Sequence, residues 1–220
     1  VERARSIIVK AVWDWHMPRK NTEDERRLVE FARATGFDTL IIPSPTPLVM
    51  ENAHQLGMRV GAIVTPNVTT EYAQNYPDAV QRMLPAEDAI AEAVSGLDWE
   101  AYTAHAHRWF YPVQLNHLLC FVSPQAQDEL QARVSAALAV ADGVAFDGFG
   151  FRNHYACFCP RCQTLREEMA VQQAGRPSDH ILAQMSEASL VNLSHLLYEH
   201  AKGVKTDALV TNHIWPPFRP

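Results

Sequence analysis

The chain has 220 residues, with 19 Lys and Arg against 25 Asp and Glu, for a formal charge of −6. That balance argues against nucleic acid as a main partner, because phosphate binding needs concentrated basic side chains. No apolar run approaches the roughly 20 residues of a membrane span, so no membrane partner is expected. A hydrophobic share of 47% and a charged share of 20% are those of a globular protein, and the length allows one sizeable core.

Residues 6–13 form a short apolar run with β-branched members and are expected as a buried strand. The charged residues 1–5 lead into no apolar leader, so no signal peptide is expected. The strand runs into Asp14-Trp15-His16. Thr22 is the expected N-cap of the next helix, with Glu23, Asp24 and Glu25 in a first turn that favours negative charge. Leu28, Val29 and Ala32 follow at helical spacing, and Gly36 ends the pattern. Residues 37–43 read as a second strand, 47–55 as a helix closed by Gly57, and 58–66 as a third strand. Such β-α alternation with short links implies a parallel sheet with crossover helices. In these folds ligands sit at the carboxyl ends of the strands, where Asp14, His16 and Asn67 would lie.

Residues 68–117 break the rhythm. They are rich in aromatics, among them Tyr72, Tyr76, Trp99 and Trp109, and only residues 88–94 are expected to be helical. Insertions this long in compact domains are usually functional. The aromatics suit either stacking on sugar rings or packing against the body. Residues 124–141 then read as a helix, with Leu130, Val134 and Leu138 on one face and Gly143 beyond its end. The apolar strand 144–146 follows and finishes on Asp147. Residues 160–172 are helical by pattern, and Ser178 is an expected N-cap. Residues 181–202 form the strongest amphipathic helix, stopped by Gly203. Residues 207–212 are the fifth strand, ending in Asn212-His213-Ile214-Trp215.

Cys157-x-Cys159-x-x-Cys162 places three thiols on one tight turn, and Cys120 stands before the helix that leads back to the same strand. A returning helix in a parallel sheet brings Cys120 to the face where Cys157 emerges. Four thiolates meeting in this way would hold a structural zinc ion with no open position. The alternative is a buried Cys120 beside three free thiols. A redox role for Cys159 and Cys162 has the right spacing but no thioredoxin pattern around it. Clustered cysteines in a chain of this length fit a reducing, cytoplasmic compartment better than a disulfide framework.

At these residues the chain resembles the catalytic barrels of family 42 β-galactosidases and related glycosyl hydrolases. The matching pieces are Phe146-Asp147, Cys157-Phe-Cys-Pro-Arg-Cys162 and Cys120-Phe-Val-Ser-Pro124. The resemblance implies a TIM-type (β/α) barrel and one structural zinc on Cys120, Cys157, Cys159 and Cys162. It also implies hydrolysis of glycosidic bonds in a carbohydrate substrate. Those galactosidases end the strand in Asn-Glu, with the Glu as general acid/base, whereas this chain reads Phe146-Asp147-Gly148.

Glycosidases need two carboxyl groups flanking the bond. Asp147 is the candidate acid/base and Asp14 the second carboxylate at a strand end. Trp15, His16, Asn67, Arg152, Asn153, His154, Asn212, His213 and Trp215 supply the donors and flat faces that bind sugars. Arg152 is also a possible ion-pair partner for Asp147. The expected architecture is α/β, a parallel (β/α) TIM-type barrel shown in part. About five β/α units are visible, with a long insertion after the third strand, in a single domain spanning 1–220 of a longer chain. A homo-oligomer is expected to cover its open edges. Two other readings stay open: a barrel that binds carbohydrate without cleaving it, and a metal-dependent hydrolase using His16, His154 and His213.

Overall fold

A computed structural model describes residues 10–14, 21–95 and 116–213. The chain groups into two compact units. The first comprises the described residues within 1–64, 132–147 and 198–213, and the second those within 65–131 and 148–197.

The first unit is built on a five-stranded sheet: β1 (Ala11–Trp13), β2 (Thr39–Ile42), β3 (Arg59–Val64), β6 (Gly143–Phe146) and β7 (Leu209–Asn212). Each strand pairs in parallel with the next one along the chain. Sequential order in a parallel sheet is the winding of a (β/α) barrel, in which every crossover steps one strand further. The central strands β2 and β6 are buried at every position, as a sheet covered on both faces requires. Five strands side by side in a flat sheet would hold β1 and β7 about 19 Å apart. Yet the rings of Trp13 on β1 and His213 just after β7 have centroids 5.3 Å apart. The sheet therefore curls, as part of a barrel wall does.

Helices α1 (Thr22–Ala34) and α2 (Pro47–Gln55) pack on β2 and β3. Leu28, Val29, Ala32, Leu40, Ile42, Val49, Ala53, Met58 and Val60 form one buried cluster. Burial of each larger member contributes about 1.5–3 kcal/mol. The N-cap of α1 is Asn21 rather than Thr22: Glu23 and Asp24 donate their backbone N–H groups to its Oδ1 at 3.0 and 2.9 Å. Both residue types cap well, and the carboxamide of Asn21 reaches the first-turn donors one residue earlier. Thr46 caps α2 and also donates to Glu25 Oε2 at 2.9 Å, tying the two helices together.

At the amino ends of these strands Asp142 gathers the chain. Its Oδ2 accepts from Val60 N and meets His54 Nε2, both at 2.9 Å, and Lys205 Nζ lies 3.8 Å from Oδ1. Burial alone would raise this carboxyl. The hydrogen bonds from His54 and Val60, with the charges of His54 and Lys205, outweigh it and hold the group below the ordinary carboxylate range. A carboxylate whose folded-state pKa is depressed stabilises the fold above its unfolded value near 3.9, and loses that contribution as pH falls through the folded value. Asp142→Asn is thus expected to cost about 1–3 kcal/mol at pH 6. Thermal melts should show the gap to the wild type closing below about pH 4, and a gap independent of pH would contradict this role.

In the second unit, β4 (Asn67–Val68) pairs antiparallel with β5 (His117–Leu118). Residues 79–81 run along the other side of β5 through a bridge between Val80 and Leu119. Between β4 and β5 lie α3 (Thr70–Asn75) and α4 (Pro85–Ser95), the latter longer at its start than the pattern in residues 88–94 indicates. Helix α5 (Pro124–Leu138) ends three residues before the expected Ala141, α6 (Pro160–Gln172) agrees with its pattern, and α7 runs Ser178–Val204. Gly203 does not stop α7, because the chain stays helical through it to Val204. No helix among the described residues is long and apolar enough to cross a membrane.

Candidate functional site

In the first unit the carboxyl ends of the strands carry Asp14, Asp147, Asn212 and His213. Asp14 follows β1 and donates its backbone N–H to Ile41 O at 2.9 Å. Asp147 follows β6 in the same way, donating to Val64 O at 3.0 Å. Its side chain is 16% exposed, and its Oδ1 lies 3.1 Å from His213 Nδ1. His213 in turn donates its backbone N–H to Phe146 O at 2.9 Å, extending the β6–β7 pairing by one residue. Parallel pairing of the two strands therefore puts the imidazole beside the carboxylate, and the Trp13 ring covers the imidazole from β1. Trp13 Nε1 is buried without a hydrogen-bond partner among the described residues. Directly after Asp147, Gly148 turns with φ of 71°, a left-handed conformation that side chains resist.

In the second unit Cys120, Cys157, Cys159 and Cys162 are all buried, with their sulfurs within 4.8 Å of one another. Cys120 Sγ lies 3.6, 3.7 and 3.9 Å from the sulfurs of Cys159, Cys162 and Cys157. A tetrahedral ion with bonds of 2.3 Å to sulfur sets its ligands about 3.8 Å apart, so these four residues fit one thiolate-bound metal. Local structure places each of them. Cys120 donates its N–H to Ala79 O at 2.8 Å, just beyond β5. Cys159 is the N-cap of α6, where its side chain makes no capping bond and turns to the other sulfurs instead. The Cys159 N–H points at Cys157 Sγ at 3.5 Å. Arg166 fixes the loop from α6, donating to Cys157 O at 2.7 Å and lying over the Phe158 ring. Hydrogen bonds from Cys120, Cys157 and Cys162 hold the Cys159 thiol below its ordinary range, whereas the same kind of contact holds Cys162 above it. Four adjacent sulfurs without a cation share protons, because four bare thiolates would repel one another.

A polar group that no sequence motif marks pins the loop before the cysteines. Gln81 is buried and donates through Nε2 to Leu119 O and Gly150 O, both at 3.1 Å, while its Oε1 accepts from Arg152 N at 3.0 Å. Asn153 is buried too. Its Oδ1 accepts from the N–H groups of Tyr155 and Ala156, and its Nδ2 donates to Glu87 Oε2 at 3.1 Å. The Tyr155 hydroxyl donates to Glu87 Oε1. Burial and this bond push the Tyr155 pKa up to about 12. Between them His154 takes a left-handed φ of 68°, a strained conformation for a residue with a side chain, held by the turn that Asn153 makes.

Of the residues singled out in the sequence, Trp15, His16 and Trp215 lie outside the described residues, as do Trp99 and Trp109. Asn67 is exposed on β4, and Asn212 is exposed at the end of β7. The charged neighbour of Arg152 among the described residues is Asp88, at 3.7 Å. Among the described residues, the four cysteines form the group of three or more metal-ligating side chains; the histidines do not add another.

No known family profile matches the chain, and no curated sequence matches it significantly. Solved structures do. The alpha-L-fucosidase isoenzyme 2 from Paenibacillus thiaminolyticus superposes with a TM-score of 0.56 at 14% identity, over 93% of this chain and 32% of that one. The alpha-galactosidase from Lactobacillus brevis gives 0.54 at 14% identity, over 93% of this chain and 27% of that one. A hypothetical protein from Ruminiclostridium thermocellum ATCC 27405 gives 0.50 at 10% identity, over 92% of this chain and 96% of that one. The chain thus spans about a third or less of the two glycosidases. At such identities the likeness is one of fold alone, and it does not single out family 42.

Proposed function

We propose that this chain is part of a glycoside hydrolase barrel that binds carbohydrate at the carboxyl ends of its strands and hydrolyses a glycosidic bond there. The observation that best supports this is Asp147, a partly buried carboxylate at the end of a parallel strand, aligned by His213 on the neighbouring strand. A carboxyl group in that place can protonate a leaving oxygen or activate water, and the imidazole contact orients it toward one lone-pair direction. Asp14, at the carboxyl end of β1 in the same sheet, is the proposed second carboxylate. The likeness to a fucosidase and a galactosidase points to the same chemistry, with the sugar left to experiment. Asn67, Arg152, Asn153, His154, Asn212 and His213, with Trp15, His16 and Trp215, are the proposed sugar-binding residues.

Cys120, Cys157, Cys159 and Cys162 would hold zinc. With four protein ligands such an ion has no open position, so it would brace the loop that leads into α6 and take no part in bond cleavage. Buried, unoxidised thiols suit a reducing compartment, and a homo-oligomer would cover the edges of β1 and β7.

The test is turnover of a panel of aryl glycosides by the wild type and by Asp147→Asn. The variant is expected to lose about 10²–10⁴-fold in rate on the preferred glycoside. Wild-type turnover no greater than the variant's on every glycoside would remove the hydrolase reading and leave a barrel that binds sugar without cleaving it.

A further inference from the structure

We propose that Arg152 is an anion-binding residue, and that the second unit takes a sugar carrying a carboxylate, a uronic acid, on its guanidinium. This deepens the carbohydrate reading above and rests on it.

Arg152 is only 6% exposed, yet its side chain makes no hydrogen bond among the described residues. Nε is buried with no partner among the described residues. Asp88 Oδ1 stands 3.7 Å from Nη1, beyond hydrogen-bond length, and that side chain is 54% exposed, so solvent screens the pair. A guanidinium has five N–H donors, and removing it from water is costly unless a hydrogen-bonded anion replaces the water. The surrounding polar side chains among the described residues do not supply one. Gln81 uses both ends of its amide on backbone groups, and Glu87 is taken up by Asn153, Tyr155 and the N–H of Leu84. The loop is thus tightly built around a cation that the loop itself leaves unbonded.

The Nη1/Nη2 end of the guanidinium, which faces the half-exposed Asp88, has the fork geometry that donates two parallel N–H groups to the two oxygens of a carboxylate, whereas Nε is buried. His117 on β5 lies within electrostatic reach. Burial first, and the Arg152 charge second, push its imidazole below the ordinary histidine range, so at neutral pH it can donate a hydrogen bond without adding charge. The ligand is assigned as a monoanion because Asp88 already offsets part of the Arg152 charge and would repel a second negative charge. A planar carboxylate suits that field better than a phosphate does. The partly exposed Asp88 marks the side open to solvent.

The experiment is calorimetric titration of the chain with methyl glucuronide and methyl galacturonide, each set against its neutral amide. At least one acid is expected to bind about tenfold or more tightly than its amide. Arg152→Met should abolish that preference and raise the melting temperature, because it removes a desolvated charge that makes no bond in the free protein. Equal binding of acid and amide, or no binding of either pair, would overturn the proposal. So would an Arg152→Met protein that melts lower or fails to fold, since Arg152 would then be structural. Inorganic phosphate displacing the acid at equal concentration would overturn the carboxylate assignment. The readout needs no turnover, so inactivity toward aryl glycosides leaves it standing. Conversely, hydrolysis of neutral glycosides by a chain blind to the carboxylate would sink it alone.

Discussion

Replacing Cys159 with serine is expected to release the bound metal and lower the melting temperature by at least about 10 °C. Purified wild-type chain should carry about one zinc per chain by elemental analysis, as four cysteine ligands imply, and the variant close to none. The expectation follows from geometry and charge together. The three sulfur distances from Cys120 match the edges of a thiolate tetrahedron, and all four residues are buried. Without a cation the cluster must keep some of its thiols protonated, because adjacent bare thiolates repel one another. With a cation all four become ligands, and binding free energy becomes folding free energy because the unfolded chain has no assembled site. The ion would join the end of β5, through Cys120, to the start of α6, through Cys159 and Cys162. A Cys159→Ser protein with unchanged melting temperature, prepared from a wild type that carries no metal, would show instead that the four cysteines are only a buried apolar cluster.

Gly143→Ala is expected to cost about 2–4 kcal/mol, against a gain of about 0.5–1 kcal/mol for Gly203→Ala. Gly143 opens β6 and pairs with Leu209 of β7 on one side and Gly61 of β3 on the other. A Cβ there would stand 2.2 Å from Leu209 O and 2.6 Å from Leu209 Cβ. The first of these is a backbone atom, which cannot swing aside as a side chain would, so the strand itself must shift. That shift would pull on the β6–β7 register that sets His213 beside Asp147. Gly203 has no atom within 4 Å of its Cβ position and sits in α7, where alanine simply restricts the unfolded chain. Chemical denaturation of the two variants side by side checks the contrast. Equal effects would mean that the β6–β7 approach is looser than described.

Much of the fold is legible in the linear chain because its signals are local. Thr39–Ile42 and Gly143–Phe146 are continuous apolar runs, and helices α1, α2 and α6 begin and end at caps and prolines within a few residues of where the pattern places them. Where a local signal misled, a competing local choice decided the matter: Asn21 out-reaches Thr22 as a cap, and the turns of α7 carry through Gly203. The four-cysteine site was also legible, since three of its members lie within six residues and the fourth is returned by a crossover helix whose existence the β-α rhythm implies. The insertion after β3 was not. Its short pairing of Asn67–Val68 with His117–Leu118 joins segments about fifty residues apart that no periodicity links.

The sequence by itself determined the parallel β-α winding, the strand ends at Asp14 and Asp147, and the cysteine set, because each is written in neighbouring residues or in the order of elements. Only the tertiary structure decided which polar groups meet: Asp147 with His213, Gln81 with the backbone at Gly150 and Arg152, Glu87 with Asn153 and Tyr155, and Arg152 with Asp88. The physical reason is that hydrogen bonds and ion pairs act over a few ångströms and are indifferent to separation along the chain. Partners more than sixty residues apart are chosen by strand register and loop path, which exist only once the sheet has formed.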